Sequence, residues 1–220
     1  VAAGHTAVCL DLPGHGASTG RTLHLGKAVE SIDAAWRQHG PFDAFVGHSF
    51  GGPSVMAAAA GSILNVPQRR PDRIITIAAP SDMSDVFRWA GRLLGLGAAA
   101  QRAFERQVFR FAGRPLSEFQ VERMMHDLPI RTLVIHAEDD KEVAFSNAQA
   151  IARLGSHVRL VKANGFGHRR IVAAPPVTQA VVEFLEEDIG AAEIVGLPLP
   201  CSREANRVAA IEKGSARRLA

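Results

Sequence analysis

Apolar residues are arranged in two alternating patterns along the chain. Short unbroken runs give way to longer stretches in which apolar residues recur every three or four positions. Unbroken runs suit strands buried on both faces, and the wider spacing suits helices with one buried face. The pattern predicts a strand over residues 6–12 that feeds the turn Pro13-Gly14. A helix over 23–38 follows, with Leu25, Val29, Ile32 and Trp36 on its inner face and Gly40-Pro41 as its stop. A strand over 43–47, an Ala-rich helix over 50–62 and a strand over 73–79 come next. After Pro80 the alternation lapses. Residues 81–127 contain no strand pattern, but Val86, Ala90 and Leu93 recur at helical spacing, as do Phe104, Val108 and Phe111. That stretch reads as a helical insertion, too long for a simple crossover. The alternation resumes with a strand over 131–136, a helix over 145–154, a strand over 157–163 and a helix over 177–187 introduced by Pro175-Pro176.

Strand and helix in alternation predict an α/β fold, a mostly parallel sheet flanked by helices. The organisation expected is one domain over 1–190, with a helical cap insertion over 81–127 and a weakly structured tail over 191–220. Composition narrows the partners. The formal charge of +3 comes from scattered basic residues, which gives no footprint for nucleic acid. No segment is long and apolar enough to span a bilayer, so no membrane partner is expected. Two isolated cysteines, Cys9 and Cys201, and a start without a signal peptide fit a cytoplasmic protein. No metal-ligand cluster, phosphate loop or dinucleotide fingerprint is visible, so neither a metal nor a cofactor is expected.

Chemistry enters at Gly47-His48-Ser49-Phe50-Gly51, a Gly-x-Ser-x-Gly pattern between a strand and a helix. A serine on a sharp strand-to-helix turn holds its hydroxyl above the sheet in strained backbone geometry. Gly47 and Gly51 are expected to leave room where side chains would collide. The Phe50 N–H and the start of the following helix are expected to face the charge that develops on an oxyanion. Serine needs a base, and the base needs an orienting acid. His168, in the loop after the strand over 157–163, is placed for the first role. His48 adjoins Ser49, but neighbours on a sharp turn point apart, and His136 reads as a packed strand residue. For the acid, the strand over 131–136 leads into Glu138, Asp139, Asp140 and Glu142, and Asp82 follows the strand over 73–79. Periodicity does not choose among them, and most carboxylates in such runs are solvated.

These motifs together resemble the α/β-hydrolase family, its esterase and lipase-like members, over about residues 6–188. The run from Asp11 to Ser18 is similar to the family's Asp-x-Pro-Gly-His-Gly-x-Ser turn, which has a structural role there. Ser49 stands in the nucleophile's place. The stretch Ala137 to Val143 is similar to Gly-x-x-Asp-x-x-Val, with Ala137 in place of the usual Gly, and singles out Asp140 as the acid. Gly167-His168 matches the pair that supplies the base. The chain order Ser, Asp, His is the order of this fold. The resemblance implies three strands ahead of Asp11, where this sequence has ten residues. It therefore implies an N-terminally incomplete fold, with a gap inside the sheet and unpaired edges on both sides of it. It also implies the loss of a second oxyanion donor. The expected function is hydrolysis of a small-molecule ester or thioester through an acyl-enzyme on Ser49. The alternatives are a different reaction on the same triad, such as C–C hydrolysis, lyase chemistry or perhydrolysis, and a catalytically impaired protein.

Overall fold

The structure, a computed structural model, describes residues 4–112, 116–187 and 194–196. Five strands form one parallel sheet in sequence order: β1 (Ala44–His48), β2 (Arg73–Ile77), β3 (Arg131–His136), β4 (Val158–Lys162) and β5 (Ile194–Gly196). The helices are α1 (Leu25–His39), α2 (Gly51–Ala60), α3 (Met83–Leu93), α4 (Ala98–Ala112), α5 (Val121–Met125), α6 (Ser146–Ala152), α7 (Gly167–Arg170) and α8 (Pro175–Glu186). All the predicted helices and four of the predicted strands appear within a few residues of their expected bounds. β5 lies in the stretch that the sequence pattern reads as tail, and the rest of that stretch, with Cys201, is outside the described residues.

The two faces of the sheet are covered by different helices, which is why β2 and β3 read as unbroken apolar runs. On one face Phe45, Ile74, Val134, Val158 and Leu160 pack with α1, α2, α5 and α6. On the other, Ile75, Ile77, Leu133, Ile135 and Val161 pack with Phe184 and Val177 of α8 and with Ile171. α2 is the most enclosed helix: every residue from Gly52 to Ala59 is buried. Its alanines fit that position, because small side chains let a helix lie close to the sheet and to its neighbours. Gly61 ends it in the left-handed conformation, φ 65°, donating its N–H to Ala57 and Ala58 carbonyls. The insertion after β2 is helical, as predicted, and its two ends are tied together. The Val121 N–H donates to the Ser81 carbonyl at 2.8 Å, and the Gln120 amide donates to the Asp82 carboxylate at 3.1 Å. Phe87 of α3 meets Phe104 of α4 edge to face at 5.6 Å.

The strand predicted over 6–12 does not form. Those residues lie outside the sheet and are mostly exposed, with Val8 and Leu10 each 42% accessible. An apolar run becomes a strand only when a neighbouring strand takes up its N–H and C=O groups, and no strand among the described residues pairs with it. The expected gap inside the sheet is likewise absent: the five strands are contiguous, and β1 is an edge. The exposure is sharpest at Val46. It pairs in register with Ile75, on the same face, yet Val46 is 52% exposed and Ile75 is 0%. Helix α8 covers the inner strands of that face and leaves β1 bare. Val46→Thr should therefore change stability by less than about 0.5 kcal/mol. Ile75→Ala at the paired position should cost about 2–5 kcal/mol. Urea unfolding of the two variants checks this, and a costly Val46→Thr would show that the β1 face is covered.

Candidate active site

Ser49 sits one residue past β1 and two ahead of α2. Its backbone has φ 52°, in the left-handed region that a non-glycine residue adopts at a cost. Two bonds hold it there. Its N–H donates to the Ile77 carbonyl at 2.9 Å, extending the β1–β2 ladder, and its carbonyl accepts the Gly52 N–H at 2.9 Å. The elbow closes so tightly that a Cβ on Gly47 would overlap the backbone of Gly51 and Gly52, and a Cβ on Gly52 would overlap the side chain of Ala79. At Gly51 a Cβ would meet nothing within 4 Å. The bare residues that the turn requires are thus Gly47 and Gly52, whereas the sequence motif points to Gly47 and Gly51. The motif marks where the chain turns, but which glycine faces a neighbour depends on how α2 lies against the end of β2.

The loops after β3 and β4 are fastened to each other along their length. Glu138 accepts from Lys162 at 2.8 Å and from the Asn164 amide at 2.7 Å. Asp139 accepts the Gly165 N–H at 2.7 Å. Asp140 accepts from His168 Nδ1 at 2.8 Å, and Glu142 from Arg169 at 2.8 Å. The acidic run, expected from its composition to be mostly solvated, instead takes its partners from the segment that carries His168. Only Asp140 reaches the imidazole. Asp82, the other candidate, accepts the Ser84 N–H at 2.7 Å and caps α3. His168 itself lies in the single turn of α7, reached through Gly165 and Gly167 at φ 86° and 59°.

Ser49, His168 and Asp140 form a continuous line. His168 Nε2 is 2.9 Å from Ser49 Oγ, and Nδ1 is 2.8 Å from Asp140 Oδ2. A carboxylate only accepts, so the Nδ1 proton points to Asp140, and the Nε2 lone pair is left facing the Ser49 hydroxyl. The Asp140 side chain is closed to solvent, and its second oxygen accepts the N–H groups of Glu142 at 2.8 Å and Val143 at 2.9 Å. These bonds fix the plane of the carboxylate.

Two further histidines touch this line, and sequence reasoning gave neither a part in the site. His136 is fully buried and donates Nε2–H to the Val143 carbonyl at 2.9 Å, with Asp140 Oδ2 at 3.3 Å from the same nitrogen. Its Nδ1 has no hydrogen-bond partner among the described residues. Burial pushes its pKa down and keeps the ring neutral. The Nε2 of His48 lies 2.9 Å from the carbonyl of His168. Burial lowers its pKa too. Among the described residues no group of three or more His, Cys, Asp or Glu side chains could hold a metal ion, and no helix is long and apolar enough to cross a membrane. The exposed turn after residue 10 holds itself together: Asp11 accepts the Ala17 N–H at 2.8 Å and the Ser18 hydroxyl at 2.6 Å. A Cβ on Gly16 would collide with that Asp11 carboxylate.

The fold agrees with what comparison with known proteins shows. Residues 1–188 match the model of the Alpha/beta hydrolase family, and the chain belongs to that family. Solved structures share the fold at low identity. Est1E from Butyrivibrio proteoclasticus, solved with ferulic acid bound, is 20% identical with a TM-score of 0.56, over 80% of this chain and 76% of that one. The monoacylglycerol lipase of Paleococcus ferrophilus is 18% identical with a TM-score of 0.53, over 79% of this chain and 80% of that one. The meta-cleavage product hydrolase CumD of Pseudomonas fluorescens IP01 is 18% identical with a TM-score of 0.53, over 79% and 76%. No curated protein matches the chain. The protein is a hydrolase of this fold.

The elbow geometry gives a direct test. Gly47→Ala should destabilise the protein by about 1–3 kcal/mol or more through overpacking. Gly51→Ala should leave the melting temperature almost unchanged. A thermal melt of both variants checks the contrast, and equal losses would contradict it.

Proposed function

We propose that the protein is a serine hydrolase acting on a small ester or thioester through an acyl-enzyme on Ser49. The observation that carries this reading is the unbroken line from Ser49 Oγ to His168 Nε2 at 2.9 Å and from His168 Nδ1 to Asp140 Oδ2 at 2.8 Å. As Oγ attacks the substrate carbonyl carbon, Nε2 takes the hydroxyl proton and the imidazole becomes a cation. The buried Asp140 carboxylate, held by two backbone N–H groups, stabilises that cation and keeps the ring in the reactive tautomer. The Phe50 N–H, at the entry to α2, is assigned to the carbonyl oxygen as it becomes negative, with the positive end of the α2 dipole behind it. When the tetrahedral adduct collapses, Nε2–H passes its proton to the departing alkoxide or thiolate, and the acyl group stays on Oγ. Water then enters, gives a proton to Nε2, and releases the acid by the same steps in reverse.

The helical insertion between Ser81 and Val121 is assigned the role of a cap. Met83 and Phe87 of α3 fasten it to the hydrophobic core. The reaction so described needs no cofactor.

The test is turnover of short-chain p-nitrophenyl esters. Ser49→Ala should reduce hydrolysis to background. Asp140→Asn should lower kcat by about a thousand- to ten-thousandfold, because the imidazole is then held in the wrong tautomer. Steady hydrolysis by Ser49→Ala would reject the assignment.

A further inference from the structure

The catalytic reading leaves one polar contact at the site without a purpose. His48 is the last residue of β1 and the immediate neighbour of Ser49, and its ring reaches across to the element that carries the base. Its Nε2 is 2.9 Å from the carbonyl oxygen of His168, and the two rings lie 5.2 Å apart, tilted by 41°. A carbonyl only accepts, so His48 must donate Nε2–H. The acceptor is placed where such a bond has an effect. His168 lies in α7, a single turn continued by a 3-10 turn over Ile171–Ala173, and its carbonyl is met from outside that segment by the His48 ring.

We propose that His48 is a positioning residue, which anchors the backbone of His168 and so holds its imidazole in line with Ser49. The inference rests on the hydrolase reading above and adds to it a tie independent of Asp140. Asp140 fixes the far side of the imidazole and Glu142 fixes Arg169 beside it, but both belong to the loop after β3. His48 alone among these groups belongs to the same elbow as the nucleophile. A bond from that elbow to the His168 backbone sets the separation of Ser49 Oγ and His168 Nε2 directly, whatever small movement the loop after β3 makes.

The charge state matters as much as the reach. During acylation His168 becomes a cation, and a second cation one ring away would oppose it. Burial disfavours a charge on His48 and outweighs the His168 carbonyl, Asp140 and Glu142, which favour one; the His168 ring opposes it as well. A neutral donor is what the site requires. Glutamine supplies one at nearly the same reach as Nε2, leucine fills the space without donating, and asparagine carries its amide one bond short.

The experiment compares the protein with His48→Gln and His48→Leu, and with His48→Asn should the leucine variant not fold. The rate of Ser49 modification by a fluorophosphonate is measured beside kcat and KM for an ester. In parallel, proton NMR follows the low-field His168 Nδ1–H signal, which reports the bond to Asp140 without any need for turnover. Removing the donor should slow modification and lower kcat by about ten- to a hundredfold, since small misplacement of a reacting pair costs that much. KM should move little, and the Nδ1–H signal should broaden or vanish. His48→Gln should restore the rate to within a few-fold and keep the signal. Equal rates and an unchanged signal in the leucine variant would overturn the proposal, as would a glutamine variant as impaired as leucine. If the unaltered protein resists the fluorophosphonate, the hydrolase reading fails, and the NMR comparison still decides the role of His48.

Discussion

The active-site line depends above all on the 2.8 Å bond between His168 Nδ1 and Asp140 Oδ2, which joins two loops separated by a whole strand and helix in sequence. A serine hydroxyl becomes reactive only when a lone pair faces it, and that bond decides which imidazole nitrogen keeps its lone pair. The rest of the local structure serves the same constraint. Backbone N–H groups hold the Asp140 carboxylate from behind, Glu138, Asp139 and Glu142 hold the segment around His168, and the parallel sheet brings the ends of β1, β3 and β4 to one edge. The buried setting of the Asp140 side chain makes its own contacts stronger than they would be in solvent, and makes an unpaired oxygen there costly.

The nucleophile side is built differently. Ser49 is set by backbone strain, φ 52°, rather than by side-chain contacts. Its position is maintained because Gly47 and Gly52 let the chain pass close to itself and to Ala79. The α2 helix behind it is buried along nearly its whole length, so the strain is held by one of the best-packed parts of the molecule. The edge beside it is sparsely covered. Val46 on β1 and Val8 and Leu10 in the segment before it are all exposed.

Much of this was legible in the sequence, and the exceptions share a cause. Strand and helix patterns gave the α/β class because burial on both faces or on one face leaves a local mark. The helical insertion was readable for the same reason, whereas Ser49, Asp140 and His168 were read from short motifs and their order along the chain. Asp140 was singled out from its acidic neighbours by motif alone, since a run of carboxylates looks alike until its partners are placed. The predicted strand over 6–12 failed because an apolar run records the wish to be buried but not the presence of a neighbour. Gly52 was overlooked in favour of Gly51, and His48 and His136 were read as bystanders, because each acts through a contact with a residue distant in the chain: Ala79, His168 and Val143.

The central claim is that Ser49 forms the covalent intermediate, and trapping that intermediate tests it most directly. The protein is mixed with an activated acetate ester, quenched in acid within the first turnover, digested and examined by mass spectrometry. The account predicts one acetyl group on the peptide that contains Ser49, formed at a rate no slower than turnover and absent from His168→Ala. Turnover with the acetyl group on another residue, or with no acylated peptide at any quench time, would contradict it.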